Sequence, residues 1–256
     1  FMKKGFEVLC ANAVRSLALG TELSVYYPLA LEGIESLTRR ALSDGCREII
    51  TTNWMKGSPH ESTQYGLVYA AALDWNQSTS LTEFQDRYAR LTFGLADPRI
   101  CALYERLSLR LPYAEPVQNH MVNRLDRFNL SGLRFPEKWG RYTKPDAEPA
   151  ARDQLSKGFR AASDVLAQLD QIQPSCIRGR REVEMLRLSA ECIRAKARLG
   201  LALHEGRQIE AAGANEQILR WCAELPATVG QWRAAKERHH RVLLQTGFKP
   251  CIDFLN

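Results

Sequence analysis

This chain lacks the marks of a membrane, metal or nucleic-acid protein. No apolar run reaches the roughly 18–20 residues that a bilayer-crossing helix requires. The opening FMKKG is basic, but FEVLCANAVRSLALG behind it is broken by Glu7, Asn12 and Arg15, so no secretory pattern forms. The first residue is Phe1 rather than methionine, as expected of a fragment or a processed product. There are 7 cysteines, none spaced as CxxC and none clustered with histidine. That spacing argues against zinc and for free thiols in a reducing compartment, so a cytoplasmic setting is the weak expectation. His239 and His240 are adjacent and point to different faces of a helix, which makes them poor joint ligands. The net charge of +6 arises from 35 basic and 29 acidic residues. It is spread over helix faces such as 178–181 rather than drawn into a basic stripe with interleaved aromatics, so no nucleic-acid partner is expected. No cofactor is expected either.

Strand-forming sequence is also scarce. Two segments read as strands, Phe6 to Ala11 and Arg47 to Thr52. Between them the spacing predicts a helix from Pro28 to Ser43, with Pro28 in its first turn and Gly45 able to close it. Strand, helix, strand at this spacing is a βαβ unit with parallel strands. A following helix, carrying Tyr65, Val68, Tyr69, Ala72 and Leu73 on one face, extends it to βαβα.

The rest reads as helix. Ser80 and Glu83 form a capping box ahead of Phe84, Tyr88 and Leu91, with Gly94 as the stop. Asp97-Pro98 opens a helix with Ile100, Leu103, Tyr104, Leu107 and Leu111. A short helix is expected over 116–127. Residues 128–149, rich in proline and glycine, read as an irregular linker packed by Phe135, Trp139 and Tyr142. Four further helices, near 150–171, 177–205, 209–225 and 229–246, read as an antiparallel bundle. The fold class is α/β followed by all-α, predominantly helical. The expected domains are 1–127, the linker 128–149 and a helical bundle over 150–256.

The most informative stretch is Cys46 to Asn76. A tryptophan at the carboxyl end of a buried strand, followed by a loop and a helix, stands where open α/β sheets and (β/α)8 barrels place ligand contacts. Thr51-Thr52-Asn53-Trp54, the turn with Gly57, and the run from Gly66 to Asn76 resemble the last barrel strand and last barrel helix of family 20 glycoside hydrolases, the β-N-acetylhexosaminidases. FEVLCANAV is similar to the preceding barrel strand. The resemblance implies the last two βα units of a barrel with a helical extension. It also implies retaining, substrate-assisted hydrolysis of terminal N-acetylhexosamine, an exception to the two-carboxylate scheme. The family's paired aspartate and glutamate lie on an earlier strand. No Asp-Glu dipeptide occurs here, so the catalytic pair is expected outside this chain, which alone would be inactive.

By the resemblance, Trp54 walls the sugar pocket, stacking a flat apolar face on the pyranose; a core tryptophan at a strand end is the alternative. Two positions on, where the family has an acidic residue, stands Lys56, which donates but cannot accept a hydrogen bond. Glu61 is placed to supply the missing acceptor from the loop. His60 is either a hydrogen-bond donor or general acid/base, or a solvated loop histidine. Asn12 and Arg15 are expected after the first strand, where barrel loops contribute ligands or where a solvated turn would lie. The expected partner is a carbohydrate substrate, with a homo-oligomer possible. The alternatives are a non-catalytic or degenerate carbohydrate-binding relative, and a helical protein-interaction module.

Overall fold

The computed structural model describes residues 4, 7–15, 20–21, 24–53, 61–109 and 148–212, with 234, 238 and 241. Helix accounts for 73% of the interpretable residues, so the chain is predominantly helical. The elements in order are β1 (Leu9–Arg15), β2 (Gly20–Thr21), β3 (Ser24–Val25), α1 (Tyr27–Ser43), β4 (Glu48–Asn53), α2 (Glu61–Trp75), α3 (Leu81–Tyr88), α4 (Arg99–Arg106), α5 (Glu148–Ile172) and α6 (Arg180–Ala212). The expected helices over 116–127, 209–225 and 229–246 and the linker 128–149 lie wholly or largely outside the described residues.

β1 and β4 pair in parallel, with Leu9 opposite Glu48 and Asn12 opposite Thr51, and the register shifts between Ala13 and Arg15. Helix α1 connects them, so the βαβ reading of the sequence holds. The strand bounds differ at β1, which runs to Arg15 rather than ending at Ala11. β2 and β3 form a separate two-residue antiparallel pair. The described residues therefore contain one two-stranded parallel sheet and one minimal hairpin.

Each end of α1 has a local cause. Proline occupies its first turn, where a missing N–H costs nothing. At its other end Gly45 takes φ 78°, and the N–H groups of Gly45 and Cys46 donate to Leu42 and Ala41 carbonyls at 3.1 and 2.8 Å. That is a Schellman stop, which favours glycine because a Cβ disfavours the left-handed region. Ser80 Oγ accepts from the Glu83 N–H at 3.2 Å to open α3. The Asp97 carboxylate accepts from the Arg99 N–H at 2.9 Å to open α4.

Chain contacts divide the protein into two compact units, residues 1–108 with 168–186, and residues 109–167 with 187–256. The core of the first is aromatic. Tyr65 of α2 lies at its centre, stacked on Tyr104 of α4 at 4.7 Å between ring centroids. It also meets Tyr27, Tyr88 and Phe84 at 5.0, 5.1 and 5.3 Å. The edge-on and offset geometries of such rings add to the burial of their large apolar area. Ser108 ties the base of this core: its Oγ accepts from the Tyr27 N–H at 3.0 Å and lies 2.9 Å from the Tyr104 carbonyl oxygen.

Two helical faces differ from the periodicity. After Tyr88 the helix widens to a π-turn over Ala89–Phe93. The widening carries Phe93 into the core and turns Leu91 outward, where it is 72% exposed. In α2, Val68 is exposed while Ser62, Tyr65, Gly66, Tyr69, Ala70 and Leu73 form the buried face. The helix is apolar nearly all round, so composition did not single out its inward side. Near 177 the helix expected from the sequence starts three residues later. The N–H groups of Ile177 and Arg178 donate to the Phe93 carbonyl at 3.0 and 3.4 Å. Gly179 then takes φ 70° against Phe93, where a Cβ would meet the ring at 2.7 Å.

In the second unit the described parts of α5 and α6 each bury an apolar series, Leu155, Ala162, Val165 and Leu166 on one and Leu188, Ile193 and Ala197 on the other. α5 begins at Glu148, two residues before the expected start, and takes Pro149 into its first turn. Arg238 donates to Glu191 Oε2 from two guanidinium nitrogens at 2.6 and 3.0 Å.

The tyrosine core predicts alkaline instability. Burial holds the phenols of Tyr65, Tyr88 and Tyr104 well above their ordinary value. Tyr69 is pushed up to about 12 by burial and then by the neighbouring Glu35 charge. Unfolded tyrosines titrate near 10.0, so above that pH the unfolded chain releases protons that the folded one retains. The stabilisation is whole below pH ~10 and is lost as pH rises through about 12. Phenolate absorbance is expected to rise together with loss of helical circular dichroism. Smooth ionisation of all tyrosines with helix intact would contradict it.

Candidate functional site

The carboxyl ends of β1 and β4 lie side by side, with Arg15 opposite Asn53 in the register. Two residues close this end. Asn53 Nδ2 donates to Thr63 Oγ1 at 2.9 Å, which ties the strand end to the first turn of α2. Glu61 opens α2 and is 8% exposed, and the positive end of the helix dipole favours a carboxylate there.

Asn53 Oδ1 and Glu61 Oε2 are buried and have no hydrogen-bond partner among the described residues. Leaving such an oxygen unpaired costs about 1–3 kcal/mol. Both atoms accept, so the group that suits them is a donor: a hydroxyl, an amide N–H or an ammonium. The Thr52 hydroxyl, one residue before Asn53, donates to the Asn12 carbonyl at 2.8 Å and so helps hold the strand pair in register.

Of the residues expected at the site, the structure brings Glu61 and the backbone of Arg15 to this end, with two corrections: Arg15 belongs to β1 rather than following the strand, and Glu61 is the first residue of α2 rather than part of the loop. Asn12 is corrected: it lies within β1, not in a loop after it. It is 2% exposed, and its Nδ2 donates to Thr38 Oγ1 of α1 at 3.1 Å. The strand simply runs further than its β-branched content suggested, so the side chain falls on the helix-covered face. Its Oδ1 is likewise without a partner among the described residues. Trp54, Lys56 and His60 lie outside the described residues. Asn53 and Thr63 were missed. The available signal was polarity: Asn53 is an amide at the end of a strand, directly before Trp54.

Among the described residues no group of three His, Cys, Asp or Glu side chains could hold a metal ion. No helix there is long and apolar enough to cross a membrane. The described cysteines are free thiols. Burial and then the Glu105 charge push the Cys101 thiol up to about 12, so it is protonated and inert at neutral pH.

No protein-family model matches the chain. Neither curated proteins nor solved structures give a significant match.

Proposed function

We propose that this chain is the C-terminal part of a family-20-like glycoside hydrolase acting on terminal N-acetylhexosamine. In this reading β1, α1, β4 and α2 are the last two βα units of a (β/α)8 barrel, and the helices after them are its extension. The catalytic aspartate and glutamate come from strands outside residues 1–256. The acetamido oxygen of the sugar attacks its own anomeric carbon while the glutamate protonates the leaving oxygen. The aspartate steadies the acetamido group as positive charge develops on it. The present chain supplies the wall and the hydroxyl contacts.

One observation carries the reading: the parallel strand β4 covers Glu48–Asn53, Trp54 follows Asn53 in the sequence, and the carboxyl ends of parallel strands are where such folds place ligand contacts. Two supports accompany it. The acceptors of Asn53 and Glu61 that have no partner among the described residues suit sugar hydroxyls. Glu61, five positions after Lys56 in the sequence, also offers a carboxylate where Lys56 departs from the family's acidic residue.

The test is release of an aryl N-acetylhexosaminide by the polypeptide extended ahead of β1 as its gene encodes it. Trp54→Ala is expected to lower kcat/KM by roughly 30–100-fold, about 2–3 kcal/mol of lost stacking. Equal rates would remove Trp54 from the site. No release by either form would remove the activity. Lys56 favours a second reading, a relative that binds glycans without hydrolysing them, and that reading requires glycan affinity without turnover.

A further inference from the structure

Two apolar side chains at the end of α3 compete for one buried place. Phe84, Tyr88 and Leu91 recur at i, i+4 and i+7, so a regular helix turns all three inward. Phe93 stands five residues beyond Tyr88 and on such a helix falls about 140° away from it, at about 100° per residue. The structure has the reverse. The π-turn over Ala89–Phe93 takes up one residue more than an α-helical turn. Phe93 is fully buried, and Leu91 is 72% exposed.

Phe93 is held inward by a turn from far along the chain. The N–H groups of Ile177 and Arg178 both donate to its carbonyl, at 3.0 and 3.4 Å. That carbonyl stands at a helix end, where the helix itself supplies no donor. The seat is reciprocal. Ile177 lies over Gly94, whose added Cβ would stand 3.1 Å from it. Phe93 lies against Gly179, where a Cβ would stand 2.7 Å from the ring and 2.7 Å from the Thr92 carbonyl oxygen.

The hold is shallow. Residues 173–175, 177 and 178 are exposed, and Cys176 and Gly179 are half-buried. Two bonds to one acceptor, open to water, belong at the low end of local opening free energies. On either side Leu169, Val183 and Leu186 are buried, so release is confined to the turn between them.

Register and docking depend on each other. Closing the π-turn to a regular helix rotates Phe93 by about 100°. Its carbonyl then leaves Ile177 and Arg178, and its ring leaves Gly179. Leu91 comes round beside Tyr88 in its stead, and burial of a leucine recovers an apolar contribution comparable to that of a phenylalanine. The irregular link 94–97 ahead of α4 takes up the change in length.

We infer that the end of α3 is a two-state register switch worked by the turn at 176–179. With the turn docked, the π-turn holds Phe93 in the core. With the turn released, α3 runs on as regular helix and Leu91 fills the place. Two packings of one segment that lie close in free energy are what such a device requires. Tyr88 carries the change inward, because its ring meets Phe93 at 5.9 Å and Tyr65 at 5.1 Å between centroids. The switch is independent of the glycosidase reading.

The experiment is NMR on residues 1–256. Relaxation dispersion at the methyl groups of Leu91 and Ile177 is expected to fit one common rate, with the released state at about 1–10%. Leu91→Lys suits a helix end but cannot fill a buried apolar place. It is expected to quench the dispersion at Ile177 and to move the melting midpoint by no more than ~2 °C. Gly179→Val sets a branched side chain against the Phe93 ring at positive φ and is expected to populate the released state. Relaxation of the Leu91 methyls by a dissolved paramagnetic probe then falls by about 3-fold or more. A flat profile at Leu91 overturns the proposal, and so does dispersion at Ile177 that persists in Leu91→Lys. A folded Gly179→Val protein whose Leu91 is as accessible as before overturns it as well; if that variant does not fold, the first two measurements decide.

Discussion

Tyr65→Ala is expected to lower the stability of the first unit by about 3–5 kcal/mol, the range for emptying a buried aromatic site. The residue is fully buried and touches four rings from three other helices. Its hydroxyl also accepts from Gln85 Nε2 at 3.1 Å, and the same amide nitrogen donates to Glu105 Oε1 at 3.0 Å. Truncation therefore opens a cavity where four elements meet and removes one partner from a part-buried polar chain. Against a typical domain stability of about 5–15 kcal/mol, such a loss consumes a large share. Urea denaturation at constant slope provides the measurement. Tyr65→Phe separates the parts: it keeps the rings in contact and is expected to cost about 1 kcal/mol, the worth of one hydrogen bond. If alanine costs no more than phenylalanine does, the ring packing is not what holds this unit together.

Gly66→Val is expected to cost about 3 kcal/mol or more, for the opposite reason. A Cβ at this position would stand 2.5 Å from Val14 Cγ1 and 3.3 Å from the Tyr27 ring. Val14 is short, stiff and 1% exposed, so it has nowhere to turn. α2 must back away from β1, and both the strand pairing and the tyrosine core feel the shift. Gly66→Ala sets about 1 kcal/mol of gained helix propensity against the same contact and is expected to remain destabilising. Gly33→Ala is the contrast in residues 1–256. Nothing lies within 4 Å of its Cβ, so the propensity gain stands and stability is expected to rise by up to ~1 kcal/mol. Equal effects at the two glycines would show that α2 does not approach β1 as closely as Val14 requires.

These two neighbours in sequence show where local reading succeeds and fails. Tyr65 is legible as a core residue from its spacing with Tyr69 and Leu73. Gly66 is legible only as a weak spot in a helix, because its value comes from a methyl group more than fifty positions earlier. The caps were readable for the same reason that Tyr65 was: Ser80 with Glu83, Asp97 with Pro98 and Gly45 act within a few residues of themselves. The π-turn after Tyr88 was not, because it is chosen by the burial of Phe93 against Gly179, far along the chain.

At the site the division is similar. The apolar, β-branched run Ile49-Ile50-Thr51-Thr52 marked a strand, and β4 covers Glu48–Asn53, but its side chains are exposed or half-buried where a buried strand was expected. Asn12 went astray because β1 continues through Asn12, Ala13 and Arg15, whose strand propensity is low. Pairing with β4 and the bond to Thr38 hold it extended. Asn53 and Thr63, ten residues apart, became a pair only when α2 folded back over the strand.

Periodicity, caps and turn residues were enough to establish a parallel βαβα start and, among the described residues, a helical remainder, because each of those signals is satisfied within one or two turns of backbone. Which face of α2 turns inward, how near it comes to β1, and which acceptors at the strand ends lack donors among the described residues depended on packing between distant segments. Those are matters of volume and desolvation in three dimensions, and no local pattern of residue types encodes them.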